Sequence, residues 1–138
     1  GEVKKMLQSK SGLYGLSGGV SNDLRDIQEA AKNGNVDCQN AIKAYAYGIK
    51  KYIGAYAAAM GGVDAIVFGG GIGRRSDTVR AMSLENLDFL GVKLDEEKNR
   101  SANGGDDISV DGSPVRIFVV DTNEEIVVAR KAKTLLEQ

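Results

Sequence analysis

The sequence contains no histidine, one cysteine and one proline. Without histidine, no Ser-His triad, Cys-His pair or His-ligated metal is available. The lone Cys38 excludes an intrachain disulfide and a cysteine-cluster metal site, and fits a reducing, cytoplasmic setting. No apolar run approaches the roughly 20 residues of a membrane span. The start, Gly1-Glu2-Val3-Lys4-Lys5, is polar and does not read as a secretory signal. It opens on glycine rather than methionine, so a piece of something longer is the expectation. A formal net charge of −1 gives no footprint for a polyanion such as nucleic acid.

What remains for chemistry is carboxylates, arginines, lysines and backbone amides. Phosphoryl transfer suits that set, because it depends mostly on positioning and charge neutralisation. The length of 138 residues suits one domain with one core. Eighteen glycines beside a single proline point to backbone loops that approach a ligand rather than to a flexible linker.

The stretch Ser11 to Gly19 reads as loop or turn. Ser21 is a good N-cap for a helix through Asp23 to about Lys32, and Asn33-Gly34 ends it. A second helix spans Asn35 to about Met60. Its stripe of Val36, Ala41, Ala44, Tyr45, Tyr52, Ala55, Tyr56 and Ala59 is expected in the core, with Lys43, Lys50 and Lys51 toward water. Gly48 and Gly54 would let another element pack close. Val63 to Phe68 reads as a buried strand, followed by a glycine loop over Gly69 to Gly73 and a helix from about Arg74 to Met82. Leu87 to Val92 reads as a short strand and Asp95 to Arg100 as a short helix. Ile108 to Val110 and Pro114 to Val120 flank Asp111-Gly112 as a hairpin. A last helix follows Thr122 to about Leu136. Strands alternating with helices give an α/β layered domain.

Four local patterns carry the functional reading. Glycine at positions 69, 70, 71 and 73 ends a buried strand, which lets backbone amides and a helix start approach an anion; a tight strand-to-helix turn is the plainer reading. The loop is neither a P-loop nor the dinucleotide fingerprint. Arg74 and Arg75 sit at the expected helix start, either contacting a phosphate or as a solvated pair. In Ser21-Asn22-Asp23-Leu24-Arg25-Asp26, capping and a surface ion pair suffice. Thr122-Asn123-Glu124-Glu125 is a capping box that explains Thr122 and Glu125. Glu124 is left either to favour the helix dipole or to support a magnesium ion through water.

Together these strings resemble the acetate kinase family. The resemblance rests on Ser11 to Gly18, Ser21 to Asp26, Lys51 to Tyr56, Asp64 to Phe68 leading to Gly71-Ile72-Gly73, Leu87 to Gly91 and Thr122 to Glu125, in order and at nearly the family's spacing. It implies a ribonuclease-H-like, actin-like α/β kinase fold of the acetate and sugar kinase superfamily. Residues 1–138 would form part of the C-terminal nucleotide-binding domain of a homodimer. It implies transfer of the γ-phosphate of Mg-ATP to acetate, propionate or butyrate, with no nucleic-acid or membrane partner. Asp23, Leu24 and Arg25 match the segment lining the nucleoside side of the ATP site. Gly71, Ile72 and Gly73 match the loop beneath the adenosine, with Arg74 and Arg75 beside it, and Glu124 matches the carboxylate that supports Mg2+. The catalytic residues would lie in a part of the family's sequence that this chain does not carry. The family usually has Thr-Ala or Thr-Gly where this chain has Gly69-Gly70, and Glu-Asn at Arg74-Arg75. Those departures point either to a different phosphate donor or to a non-catalytic module that binds a nucleotide or another anion.

Overall fold

The computed structural model describes residues 1–123 and 125–137. Helix α1 (Glu2–Ser9) buries none of its residues. Ser11 to Gly19, expected as loop, contains a short helix α2 (Gly12–Leu16) before it turns through Gly18 and Gly19. Both glycines have positive φ, 68° and 84°, where a side chain is strained, and this accounts for a glycine pair there. Helix α3 (Leu24–Lys32) starts at an Asp23 cap rather than at Ser21, and buries Leu24, Ile27 and Ala31. Helix α4 (Val36–Met60) is capped by Asn35, whose side chain accepts from the Cys38 amide. It ends where Gly61 takes a left-handed conformation, φ 75°, with Gly62 donating back to Ala57 at 2.9 Å.

The buried stripe of α4 differs from the expected one. Cys38, Ala41, Ile42, Ala46 and Ala57 are buried, with Tyr45, Ile49 and Ile53 half-buried. Of the expected stripe, Val36, Ala44, Tyr52, Ala55, Tyr56 and Ala59 are exposed. The helix has two apolar faces, so periodicity alone does not select which one packs. Tyr52 and Tyr56 stack on the outer face with ring centroids 6.1 Å apart. Gly48 and Gly54 have no neighbour within 4 Å of where a Cβ would stand, so they accommodate no close element.

Strand β1 (Ala65–Phe68) follows, with Ile66 and Phe68 buried and the alternate face exposed. The glycines expected as loop instead form the start of helix α5 (Gly70–Arg75). Arg74 and Arg75 therefore occupy its last turn, where cations oppose the negative end of the dipole, and not its start. Helix α6 (Asp77–Leu84) is capped by Ser76, which accepts from the Val79 amide. Leu87 to Val92, expected as a strand, is a 3-10 turn over Asp88–Leu90 that closes on Gly91 at φ 85°; only Val92 makes a bridge, to Val115. Helix α7 (Glu96–Ser101) takes Asp95 as its cap.

The sheet is completed by β2 (Asp106–Asp107) and β3 (Arg116–Val119), in the order β1-β3-β2. β1 pairs parallel with β3, Ile66 opposite Ile117, and β2 runs antiparallel to β3, Asp106 opposite Val119. The hairpin pairing is shorter than expected. Ile108 still donates to Ile117 at 2.8 Å, but Val110 donates to Lys93 instead. The turn at Asp111-Gly112 is present, with Ser113 donating to Val110 and Gly112 at φ 74°. Helix α8 (Glu125–Leu136) buries nothing, and its first turn is capped by Asn123, which accepts from Ile126 at 3.1 Å, rather than by Thr122.

Two apolar clusters hold these elements. One joins the sheet through Ile66, Phe68, Ile108, Ile117 and Val119 to Leu84 and Leu87. The other packs Leu24 and Ile27 of α3 on Cys38, Ala41 and Ile42 of α4. α6 spans both, giving Val79 to the second and Leu84 to the first. A fully buried side chain such as Ile117 contributes about 1.5–3 kcal/mol. Among the described residues, no helix is long and apolar enough to cross a membrane.

Candidate functional site

At the carboxyl end of β1 the chain leaves the sheet into α5, and the start of α3 lies opposite. A cleft of about 600 Å3 opens between them. Asp23, Leu24 and Arg25 form one wall, and Gly69, Gly70, Gly71 and Ile72 the other, with Tyr45 from α4 and Arg75 completing it. Clefts of this size suit small organic ligands. The structure thus brings together six of the residues singled out in the sequence: Asp23, Leu24, Arg25, Gly71, Ile72 and Arg75.

The first wall is fixed by local hydrogen bonds. Ser21 Oγ accepts from the Asp23 amide at 3.0 Å and donates to Asp26 at 2.8 Å. Asp23 accepts from the Arg25 amide at 2.9 Å, and Arg25 Nε donates to both Asp23 carboxylate oxygens at 3.1 Å. These bonds, the side-chain one foremost, hold the Asp23 carboxyl down at about 2 and raise the Arg25 guanidinium. The pair is solvent-facing, so an incoming ligand meets a charged fork already aligned. Buried Ser17 anchors the preceding turn, its hydroxyl donating to the Tyr14 and Ser21 carbonyls at 3.1 and 3.2 Å.

The glycines of the second wall serve separate ends. A Cβ on Gly69 would stand 3.1 Å from Thr122 Cγ2, so its bareness lets the end of β1 lie against the chain beyond β3. Gly70 takes φ 70°. Gly71 has open space around it and faces the cleft. Gly73 does not line the cleft: a Cβ there would stand 3.1 Å from the Phe68 carbonyl carbon, so it seats α5 on β1. Arg74 is also outside, turned to Asp121 with Nε 2.8 Å from Oδ1. Glu124 lies outside the described residues. Among those described, no group of three or more acidic or thiol side chains could hold a metal ion, and no step is assigned to one.

Sequence reasoning missed three supporting residues. Gln28 lines the cleft one helical turn beyond Leu24 and donates to Ser76 Oγ at 2.8 Å, joining α3 to the cap of α6. Position i+4 from Leu24 was its available signal. Tyr45 was read as core and is half-buried at the cleft. Arg80, in the middle of α6, is 2% exposed. Its Nη1 donates to the Gly73 and Arg74 carbonyls at 2.8 Å, and its Nε and Nη2 donate to Asn99 Oδ1 and O at 2.7 Å. Burial pushes the guanidinium pKa down while nearby Asp77 acts against it. Arg80 thus ties the end of α5, the cleft's glycine wall, to α7.

A parallel strand pair, a glycine turn into a short helix and a cleft at the strand's carboxyl end define a mixed α/β domain with a small-molecule cleft. The solved structure of Porphyromonas gingivalis acetate kinase overlays 97% of this chain with a TM-score of 0.86 at 44% identity, over 34% of its own length. A propionate kinase from Francisella tularensis overlays 93% with a TM-score of 0.81 at 32% identity, over 32% of its length. The chain belongs to the Acetokinase family, whose pattern matches residues 1–130. An acetate kinase of Heliobacterium modesticaldum is 50% identical over 137 residues, 99% of this chain and 34% of that protein. The chain therefore spans about a third of the length of the relatives it matches.

Proposed function

We propose that residues 1–138 form part of the C-terminal nucleotide-binding domain of a carboxylate kinase that passes the γ-phosphate of Mg-ATP to acetate, or to propionate or butyrate. The observation that carries this is the cleft itself. It joins an aligned Asp23–Arg25 fork to a bare Gly71 across a floor of Leu24, Tyr45 and Ile72. A nucleoside has those needs: apolar faces for its base, a charged hydrogen-bonding pair for its sugar, and backbone free of side chains where it comes closest. ATP would lie over Gly71 and Ile72 with Asp23 and Arg25 alongside, and Glu124 would support Mg2+ through water. The metal would neutralise charge on the phosphates, while the residues of this chain bind and orient the donor. The acid and its activating groups belong to the remainder of such a kinase, so no turnover is expected from these residues alone.

Calorimetry with Mg-ATP tests the reading. Saturable binding that weakens in Tyr45→Ala supports it, and an absence of binding by a protein containing this domain counts against it. Arg75 favours a second reading, because this guanidinium lines the cleft where the family resemblance leads one to expect asparagine. It supports a donor other than ATP, pyrophosphate for one, or a non-catalytic anion-binding module. A coupled assay of the intact kinase comparing donors in the wild type and Arg75→Asn separates these. Equal use of ATP by both removes the case for a changed donor, and acyl phosphate formation by either removes the case for the module.

A further inference from the structure

On the far side of the α5 end from the first cleft lies a second one, of about 380 Å3. Arg74, Arg75, Arg80 and Arg100 line it, with Asp77 and Asn103. Three helices supply these cations: the last turn of α5, the middle of α6 and the last turn of α7. Four guanidiniums sharing one concavity repel one another unless something negative is present. Two of them are accounted for within the fold. Arg80 is spent on the carbonyls of Gly73, Arg74 and Asn99, and Arg74 is paired with Asp121. Arg75 and Arg100 are exposed, and among the described residues neither has a carboxylate within 4 Å.

Asp77 is the one carboxylate, among the described residues, that lines the cleft against four guanidiniums. Asp77 Oδ1 accepts from the Thr78 amide at 2.8 Å, so that oxygen is turned to the start of its own helix. The carbonyls of Gly73 and Arg74, which would give the end of α5 its negative pole, already accept from Arg80. The cleft is left with a positive field and two planar forks that have no carboxylate partner among the described residues, a shape that matches the oxygens of a tetrahedral oxyanion.

We propose that this second cleft is an anion site that takes a phosphate group between Arg75 and Arg100. Arg75 also lines the first cleft, so the bound anion sits just across one guanidinium from the nucleotide position. The site does not depend on the kinase reading, since none of its contacts uses Asp23, Tyr45 or Gly71.

The test is an NMR titration of the isotopically labelled chain with inorganic phosphate, ionic strength held constant with chloride. Saturable shifts are expected at the Arg74, Arg75, Arg100 and Asn103 amides, with Asp23 and Tyr45 unmoved. Arg100→Gln and Arg75→Gln, both at exposed positions, should each weaken phosphate by about tenfold. Glycerol phosphate in a parallel titration distinguishes the sources: tighter binding than inorganic phosphate assigns a phosphorylated small molecule, equal or weaker binding the free ion. Shifts that fail to saturate in the millimolar range, that fall only around Asp23 and Tyr45, or that persist undiminished in Arg100→Gln overturn the proposal. Adenosine, titrated separately, reads the first cleft and so keeps a failure there distinct from a failure here.

Discussion

Replacing Arg80 by methionine removes the charge and every donor while keeping much of the side chain's bulk. Four acceptors then lose their partner: the carbonyls of Gly73 and Arg74, and Asn99 Oδ1 and O. Only the two on Asn99 are buried, and a buried acceptor left bare costs about 1–3 kcal/mol, which sets a gross loss of about 2–6 kcal/mol there, while the part-buried Gly73 and Arg74 carbonyls can turn to water. Part of it is recovered, because a guanidinium no longer has to be held out of water. Its partners are neutral oxygens, so no bare charge is left behind, and a net loss of about 2–4 kcal/mol remains, a large share of the roughly 5–15 kcal/mol by which domains are stable. Urea denaturation followed by circular dichroism measures it. Arg80→Lys keeps the charge, but one nitrogen cannot reach both α5 and Asn99, so it should recover less than half of the loss. Asn99→Ala combined with Arg80→Met should cost less than the sum of the two, because both break the same contact. A loss below about 1 kcal/mol for Arg80→Met, at unchanged urea slope, would refute the claim that this side chain clamps α5 to α7.

Three further outcomes follow from the geometry. Gly73→Ala should destabilise by about 1–3 kcal/mol, since the new Cβ meets Phe68 backbone at 3.1 Å, whereas Gly71→Ala should stay within about 0.5 kcal/mol and instead weaken nucleotide binding; melts and calorimetry on the two variants separate fit from function. By carboxyl NMR, Asp23 should titrate at about 2 and move back toward its ordinary 3.8 in Arg25→Gln. Because folding lowers this pKa, the pair stabilises the fold fully above pH about 4 and loses that contribution as pH falls toward about 2. Asn35→Ala should cost about 1 kcal/mol in a thermal or urea melt, by stripping the Cys38 amide at the start of α4 of its acceptor.

How much of this was legible in the sequence depended on whether the signal was local. Asn35, Asp95 and the Asp111-Gly112 turn act on backbone a few residues away, so their chemistry is written where it works. The strand from Ala65 to Phe68 and the walls at Asp23 to Arg25 and at Gly71-Ile72 were legible for the same reason, each being a short string with its own turn or cap. The phase of α4 was not. A stripe can be selected only when the opposite face is polar, and α4 carries Tyr47, Tyr52, Tyr56 and Met60 on a face exposed here. Leu87 to Val92 has strand composition, yet Gly91 at φ 85° and the turn at Asp88 curl it so that only Val92 makes a strand-like bridge, to Val115 just before β3.

The glycine segment shows what pattern reading leaves undivided. In sequence, glycines at 69, 70, 71 and 73 look like one device, a loop that bares its amides. In space they answer to different neighbours: Thr122 beside Gly69, a positive φ at Gly70, the open cleft at Gly71, and Phe68 against Gly73. Arg80 makes the same point from the opposite side. Nothing within four residues of it announces burial, because its partners come from α5 before it and from Asn99 well after it. The wall of the cleft is therefore set by a side chain that never touches the cleft. Any comparison of Arg75 variants must keep Arg80 intact if a change in donor binding is to be read as chemistry rather than as a loosened α5.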